Sequence, residues 1–275
     1  MANYFEIQAI HPWLYSIRDP MKVYCYLLLG EDRALLFDTA FGFGDLPAVV
    51  RGITNKPLTV VDSHGHADHA CGNTQFDTVY LHPADFETCR DYTGPVWRGK
   101  SVNMAKELGI FPDGLEEEAY CAAGTGNLVP LPKDAVFDLG GISARVIEMP
   151  GHTRGSVGLF VPEQKALLAS DAACKVPLVF LPESAPVAVY RNMLERVRKL
   201  PFEEHFVGHD GGALDNKQFD LYLKAAREAR LDNSVRVPLP DWEGETYAHV
   251  VDGVLGSDNF TALIFSKEKL EEAPE

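Results

Sequence analysis

The chain has 275 residues, of which 46% are apolar and 24% are charged, a balance typical of a folded protein with a sizeable core. Its net charge of −15, from 40 acidic and 25 basic residues, argues against nucleic-acid binding, which needs Lys and Arg to neutralise phosphates. No apolar run approaches the ~20 residues that span a bilayer. The N-terminus also lacks a basic start followed by an apolar block, so we expect no membrane partner and no signal peptide.

The cysteines indicate the compartment. There are five, an odd number, and they are widely scattered, which is not the pattern of a disulfide framework. We therefore expect a reducing, cytoplasmic location. The sequence leaves a homo-oligomer open.

The first half of the chain alternates short apolar runs with helical patterns. Each apolar run is β-rich and bounded by turn residues, and the helix at 83–92 has proline in its first turn. The predicted strands cover 23–29, 33–39, 57–63 and 77–82. Segment 41–53 is predicted to be a loop that enters a helix, and a second helix is predicted over 83–92.

The second half repeats this alternation. Four β-like runs lie in 133–150 and 156–171 and another at 204–207, and further strands are expected towards the C-terminus. Apolar residues at helical spacing predict a helix over 189–200, and Asp215 is placed to cap another that runs through Arg230. The fold class is therefore α/β. Two sheets packed face to face, with helices outside, would bury these strands.

Segment 93–127 interrupts the alternation. It contains Trp97, a predicted short helix near Ser101–Leu108, and an acidic run. We interpret it as an insertion and not as a separate domain. Long excursions of this kind often serve as binding loops, so we expect it to overhang the functional edge and to shape a substrate pocket.

The stretch SHGHADHACG, residues 63–72, concentrates chemistry. His64 and His66 are two apart at the end of a strand, so their side chains can point the same way. Asp68 and His69 follow across a turn, at the expected start of a helix. Neutral imidazole and carboxylate suit Zn, Fe(II) or Mn, and the absence of clustered thiolates argues against a closed structural zinc site.

Three further donors stand where β-runs give way to loops. His152 follows the run ARVIEMP, Asp171 follows ALLAS, and His209 follows EHFV. A lone histidine at such a position is more often a surface or core residue. Together with the cluster at 64–69, however, these residues predict a metal site at one sheet edge.

These residues resemble a known family. HGHADH at 64–69 matches the HxHxDH signature of the metallo-β-lactamase superfamily, and the other landmarks occur in order: LLFDTA with Asp38, PGHTRGS with His152, SDA with Asp171 and GHD with His209. The resemblance covers roughly residues 20 to 212. It implies a four-layer αββα sandwich, with the insertion at about 93–127, as a single domain over 1–275.

The resemblance also implies a dinuclear centre. His64, His66 and His152 would hold the first divalent ion, and Asp68, His69 and His209 the second. Asp171 would bridge the two, and Asp38 would orient a ligand imidazole.

Such a centre implies a metal-dependent hydrolase. A hydroxide shared by two cations, most simply Zn with Fe or Mn as alternatives, would attack an ester, lactone, thioester or phosphoester of a small substrate. Asp68 would be the catalytic residue if it also relays a proton to the leaving group.

Departures from known relatives narrow the expected substrate. The best-known β-lactamases carry cysteine where this chain has Asp171, so β-lactam hydrolysis is not expected. Quorum-quenching lactonases carry tyrosine where this chain has Cys174. Glyoxalase II enzymes add a C-terminal helical region that binds glutathione, whereas strands are expected here, and this weakens a thioesterase assignment.

Two alternatives to the hydrolase stay open at this point. One is a mononuclear iron oxygenase of the persulfide dioxygenase type, and the other is a non-catalytic metal-binding protein. Retention of His209 favours two metals over one, and a non-catalytic member would be expected to lose ligands.

Overall fold

The computed structural model describes residues 4–239, 242–257 and 259–273. The chain divides into two compact units. The first comprises residues up to Val146 together with Gly208–Gly212, and the second comprises Ile147–Val207 and the residues from Ala213 onwards. The single-domain assignment over 1–275 stays a prediction, and each unit is described in turn.

The first unit is built on a mixed sheet whose strands neighbour one another in chain order. Its elements are β1 (Glu6–His11), β2 (Leu14–Arg18), β3 (Tyr24–Leu29), β4 (Ala34–Phe37), α1 (Leu46–Ile53), β5 (Leu58–Val61), α2 (Ala67–Ala70), β6 (Val79–Leu81), α3 (Phe86–Tyr92), α4 (Pro95–Glu107), α5 (Glu117–Cys121), β7 (Leu128–Pro130), β8 (Val136–Asp138) and β9 (Ser143–Glu148). Pairing is antiparallel from β1 to β4 and parallel from β4 to β7, and β8 pairs antiparallel with β9.

The predicted strands of this unit are present, and one hairpin was not predicted. β3 and β4 are continuous apolar runs because they lie in the middle of the sheet, and Leu27 and Leu36 are fully buried against α1. The hairpin of β1 and β2 escaped prediction because β1 is an edge strand of mostly exposed residues, so its sequence lacks apolar alternation.

The insertion forms two helices, not one. α4 begins at Pro95, earlier than predicted, because proline at the first helical position fixes a helical φ and needs no hydrogen-bond partner. Val102 and Ala105 of α4, with Tyr120 of α5, pack against Phe41 and Phe43 of the sheet unit. The insertion therefore contributes to the core of the first unit, which agrees with its interpretation as an insertion and not as a separate domain.

The second unit carries the remaining elements. They are β10 (Val157–Val161), β11 (Ala166–Leu168), β12 (Leu178–Val179), α6 (Val187–Val197), β13 (Glu204–Phe206), β14 (Leu214–Asp215), α7 (Asn216–Glu228), β15 (Val235–Arg236), β16 (Thr246–Asp252), β17 (Thr261–Ser266) and α8 (Lys267–Glu271). β10 and β11 are antiparallel, β11 and β13 are parallel, and a second sheet has the order β12-β17-β16-β15.

The helices of this unit follow their sequence patterns. Asp215 caps α7 by accepting a hydrogen bond from the Gln218 backbone N–H at 3.0 Å, which confirms the predicted start. The apolar face of α7 packs with that of α6, and the two share one core cluster with Leu263 and Phe265 of β17. Strands β15, β16 and β17 follow α7, as predicted, and the short helix α8 comes after them.

Within the described part of the chain, we find no helix with the length and apolar character that crossing a membrane requires.

Candidate metal centre

The histidine-rich segment leaves the sheet at the carboxyl end of β5. Asp62, Ser63 and His64 follow the strand directly, and the short helix α2 then carries Asp68 and His69. Gly65 separates the first two histidines because the backbone of α3 passes beside it. A Cβ there would lie 2.7 Å from the Cys89 nitrogen and 2.9 Å from the Asp85 carbonyl oxygen. Only glycine therefore fits between His64 and His66.

The first unit brings five predicted ligands together. The ring of His64 lies 4.7 Å from that of His66 and 4.3 Å from that of His69, measured between centroids. The ring of His209 lies 5.4 Å from that of His69. Asp68 completes the group, and its carboxylate and the ring nitrogens of His69 and His209 offer ligand atoms within 4.8 Å of one another.

Asp38 anchors this cluster from below. Its Oδ2 lies 3.0 Å from His69 Nδ1 and accepts a hydrogen bond from Ser63 Oγ at 3.0 Å, and its Oδ1 accepts the Ser63 backbone N–H at 2.6 Å. The Asp38 backbone has φ +69°, a left-handed conformation that costs a non-glycine residue about 1 kcal/mol. The fold tolerates this strain because it aims one carboxylate at both partners.

These hydrogen bonds set the tautomers of three histidines. A carboxylate only accepts, so His69 donates from Nδ1 to Asp38. Ser63 gives its hydroxyl hydrogen to Asp38 and therefore accepts from Nδ1 of His64, 2.8 Å away. In the second unit, His152 Nδ1 lies 2.9 Å from the Leu178 carbonyl oxygen, which also only accepts. Each imidazole thus keeps its lone pair on Nε2, the atom that a metal would take.

Asp68 sits between two imidazoles. Its Oδ2 lies 3.3 Å from Nε2 of His69 and 3.3 Å from Nε2 of His209. Burial opposes the charge of this carboxylate, but the positive charge of His69 and His209 in their protonated form outweighs it and holds the pKa of Asp68 well below its usual range. A cation that replaces those protons would favour the anion in the same way. The Asp68 carboxylate is therefore an anion between two imidazoles, which is the electrostatic setting of a metal ligand.

The second unit brings the two remaining predicted ligands together. Nε2 of His152 and Oδ2 of Asp171 lie 3.8 Å apart. The turn that carries His152 is fixed by Ser184 Oγ, which donates to the His152 carbonyl at 2.7 Å. Gly151 precedes it, where a Cβ would lie 2.2 Å from the Tyr190 ring. Asp171 lies in a single 3-10 turn at the end of β11.

A buried polar chain behind the histidines was missed by the sequence analysis. Asn73 donates from Nδ2 to Asp62 at 2.6 Å, and Thr39 Oγ1 donates to the Asn73 side-chain oxygen at 2.7 Å and lies 2.9 Å from the His69 carbonyl. Burial and the charge of Asp38 raise the pKa of Asp62 well above its usual value. A buried polar residue directly at the end of an apolar β-run, as at Asp62, was the available signal.

Aromatic residues border the cluster and were also missed. The ring of Tyr92, at the end of α3, lies 4.4 Å from that of His66, and Trp97 stacks on Tyr92 at 4.3 Å with an interplanar angle of 17°. Because aromatic residues are more often part of a core, the sequence around Trp97 gives no signal of a place beside the site. The insertion is therefore connected to His66 through the ring of Tyr92, which lies between Trp97 and that histidine. Its role in shaping a substrate pocket stays a prediction.

The cysteines and one further histidine, His205, have structural settings. The five cysteines lie within the described residues, and none of them forms a disulfide. Burial raises the pKa of the Cys71 thiol to about 11, which makes it a poor nucleophile. Burial lowers the pKa of His205 to about 4, and its ring packs between Phe202, Phe219 and Tyr222. His205 is therefore a neutral core histidine.

The donors that the structure brings together fit divalent cations. The ligand atoms are neutral imidazole nitrogens and carboxylate oxygens, which suit Zn, Fe(II) or Mn. Most of the donors are buried, and hydrogen bonds through Nδ1 orient the imidazoles of His64, His69 and His152. Second partners of this kind are what orient ligands in known metal sites.

Comparison with known proteins gives relatives of defined activity. The chain is 34% identical to a hydroxyacylglutathione hydrolase of Methylococcus capsulatus, over 77% of this chain and 70% of the relative. It is 27% identical to an acyl-coenzyme A thioesterase of Gallus gallus, over 67% of this chain and 71% of the relative.

Solved structures agree on the fold. A metallo-beta-lactamase family protein from Thermus thermophilus is 26% identical, with a TM-score of 0.60 and 82% of each chain covered. A metallo-beta-lactamase from Pontibacter korlensis, at 17% identity, matches with a TM-score of 0.57 over 82% of this chain and all of its own. The predicted fold is thereby confirmed.

The sequence also matches the family model described as the metallo-beta-lactamase superfamily over residues 18–209. This match spans more than half of the chain and contains every predicted ligand. It confirms the resemblance drawn from the motifs: the chain belongs to the metallo-beta-lactamase superfamily.

Proposed function

We propose that this chain, a metal-dependent hydrolase of the metallo-beta-lactamase superfamily, holds two divalent cations and hydrolyses a thioester of a small molecule. The observation that carries the proposal is the common tautomer of His64, His69 and His152, each hydrogen-bonded through Nδ1 and keeping the lone pair of Nε2 for a metal. Imidazoles fixed in this way are prepared for metal binding before any ion arrives.

The ligand assignment is part of the proposal. His64, His66 and His152 would take one cation, Asp68, His69 and His209 the other, and Asp171 both. The distances within 4.8 Å among Asp68, His69 and His209 support a second cation, because a mononuclear centre has no need of that group. Zn²⁺ is the simplest occupant, and Fe²⁺ or Mn²⁺ would accept the same donors.

Cations bound here would supply a water of lowered pKa and Lewis-acid stabilisation of developing charge. The protein holds the donors in place through Asp38 and Ser63. Asp68 is proposed to serve as a ligand and, as the catalytic residue, to pass a proton to the leaving group. Its contact with His209 at 3.3 Å supports a position at the solvent side of the cluster, since the His209 side chain is 43% exposed.

A thioester is favoured among the acyl substrates for two reasons. The relatives named above act, by their names, on acyl-coenzyme A and on hydroxyacylglutathione, both of which are thiol esters. A thiolate is also a good leaving group, because a thiol has a pKa near 8.5, so little help from a general acid is needed. Esters, lactones and phosphoesters remain the comparison substrates. The cytoplasmic location stays a prediction.

The test is a substrate panel with a metal assay. The metal content and oxygen uptake of the protein as purified are measured first. The Zn-loaded protein is then offered one acyl group as its thioester, oxygen ester and amide, together with a lactone and a phosphodiester. We expect two metal ions per chain and the highest kcat/KM for the thioester. One iron per chain with oxygen uptake would support the mononuclear oxygenase instead, and metal without turnover would support a non-catalytic protein.

A further inference from the structure

A row of stacked aromatic rings leads from His66 to the side chain of Lys100. Tyr92 contacts the His66 ring, Trp97 stacks on Tyr92, and the Lys100 ammonium lies 4.2 Å from the centroid of the Trp97 ring. Trp97 and Lys100 are three positions apart on α4, so they share one face of the helix. Three consecutive contacts thus connect the positive charge of Lys100 to His66, a predicted ligand.

Lys100 differs from the other lysine of the same helix. Lys106 pairs with Glu117, as expected for a surface lysine in an acidic chain. Lys100 contacts the Trp97 ring and makes no ion pair among the residues that the structure describes. With a net charge of −15, the chain offers many carboxylates, yet none of the described ones pairs with this ammonium. The ammonium is therefore available to an anion that the protein itself does not supply.

The stack is held in place from the other side of α4. Arg98 is 1% exposed and donates hydrogen bonds to the carbonyls of Thr93, Cys71 and Gly124, at 2.7 to 2.8 Å. Its guanidinium also lies 4.8 Å from the Tyr120 ring centroid. Because Cys71 follows α2, Arg98 fastens the insertion to the segment that carries Asp68 and His69. Trp97 and Lys100 are consequently fixed relative to the histidines of their own unit.

We propose that Lys100, positioned by Trp97, binds an anionic group of the substrate at a distance from the bond that is hydrolysed. The anion is a carboxylate or a phosphate, carried by either the acyl part or the thiol part. This inference rests on the proposed function for the reaction itself, whereas the anion site can be tested by binding alone. Lys100 is thus a specificity-determining residue, and Trp97 is the positioning residue that keeps its ammonium in place.

The first experiment measures binding without turnover. Coenzyme A and glutarate are titrated by calorimetry into the Zn-loaded wild type, Lys100→Gln, Trp97→Ala and the control Lys224→Gln, whose lysine is exposed on α7. We expect Lys100→Gln to weaken binding of at least one ligand about tenfold, the loss of one charge-assisted hydrogen bond at an exposed position. Trp97→Ala should weaken the same ligand less, and the control should bind as the wild type does.

The second experiment measures kinetics with three thioesters. Acetyl-coenzyme A carries its anions on the thiol, glutaryl-N-acetylcysteamine on the acyl group, and acetyl-N-acetylcysteamine carries none. Lys100→Gln should raise KM about tenfold for the substrate whose anion it binds, leave kcat unchanged, and leave the neutral substrate unaffected. The affected substrate identifies the part that carries the anion.

The two experiments separate the two proposals. A wild type that binds neither anion, or equal affinities for the wild type and Lys100→Gln, would overturn the anion site. A tenfold difference in binding with no hydrolysis of any thioester would retain the anion site and reject thioester hydrolysis. Equal loss for the neutral and anionic substrates would show a general structural role for Lys100 and would also reject the anion site.

Discussion

The segment around α2 and the loop Gly208–Gly212 supply ligands to the same proposed cation in different ways. His69 is completely buried, hydrogen-bonded to Asp38 and surrounded by the chain from Thr39 to Asn73. The His209 side chain is 43% exposed and meets Asp68 at 3.3 Å. The first region holds its imidazoles before metal binds, whereas the second adds a ligand from a loop. The difference implies that the buried histidines are held rigidly by the core, and that one cation also depends on His209, a more exposed ligand.

Removing the anchor should have the largest effect. Asp38→Ala takes away the acceptor of His69 and, through Ser63, the orientation of His64, so both proposed cations lose a fixed ligand. We expect metal affinity to fall by ~10²-fold, the upper range for losing such a partner. Asp38→Asn keeps the shape of the side chain, and asparagine tolerates the left-handed backbone, so metal affinity should fall less in this variant. Competition with a chelator measures both, and wild-type affinity in Asp38→Ala would contradict the anchoring role.

Removing the loop ligand should affect one cation. His209→Ala is expected to strip one metal per chain and to lower kcat by ~10²-fold, because one of two charge-stabilising cations is lost. The free energy of unfolding of the metal-free protein should change by no more than about 1 kcal/mol, because the contact with Asp68 that is lost is partly exposed. Elemental analysis and urea unfolding provide the measurements. Full occupancy of both sites in this variant would reject His209 as a ligand.

A milder change isolates the link between Asp38 and His64. Ser63→Ala removes the hydroxyl that joins them and leaves the contact between Asp38 and His69 intact. We expect a decrease of about tenfold in affinity for one cation, at the lower end for such partners. Ser63→Thr, which keeps the hydroxyl, is the matched control. Equal behaviour of the alanine and threonine variants would mean that the hydroxyl does not orient His64.

A buried histidine that is not a ligand should affect stability and leave activity at pH 7 unchanged. Burial lowers the pKa of His205 to about 4, whereas the unfolded chain titrates near its ordinary value of about 6.5. The unfolded state therefore binds more protons between these values. The stabilisation is complete above pH ~6.5 and decreases as the pH falls towards 4, by up to about 3 kcal/mol.

The check is urea unfolding of the metal-free protein at pH 7 and pH 5. The wild type should lose roughly 2 kcal/mol more than His205→Gln over this interval. Lys224→Gln, which changes an exposed side chain that does not titrate between pH 5 and 7, serves as the control and should follow the wild type. Parallel curves for the wild type and His205→Gln would contradict a buried neutral His205.

The same two regions explain what could be predicted from sequence. The histidine-rich segment stood out because four potential ligands lie within six residues directly after a β-run: His64, His66, Asp68 and His69. The end of a strand also fixes the direction in which the first side chains point. His209 stood out only as part of a motif set, because a loop histidine has no local pattern. Strands β3 to β6 were predictable because burial on both faces leaves a continuous apolar run.

The partners around the ligands were harder to predict, because they depend on contacts across the fold. Ser63 and Asp38 are 25 residues apart, and Asn73 reaches Asp62 only once α2 has turned back on the sheet. Trp97 and Tyr92 look in sequence like any other core aromatics, and their place beside His66 follows from how the insertion packs. Chain position gives the ligand types, and tertiary contacts give their orientation.

The central claim is that two cations act together in one hydrolase, and a metal titration of the wild type tests it most directly. The metal-free protein is given Zn²⁺ in steps while hydrolysis of an acyl thioester and bound metal are followed together. We predict that activity rises mainly between the first and second equivalents and saturates at two metal ions per chain. Activity that is complete at one equivalent, or a protein that holds one iron and consumes oxygen, would contradict the account.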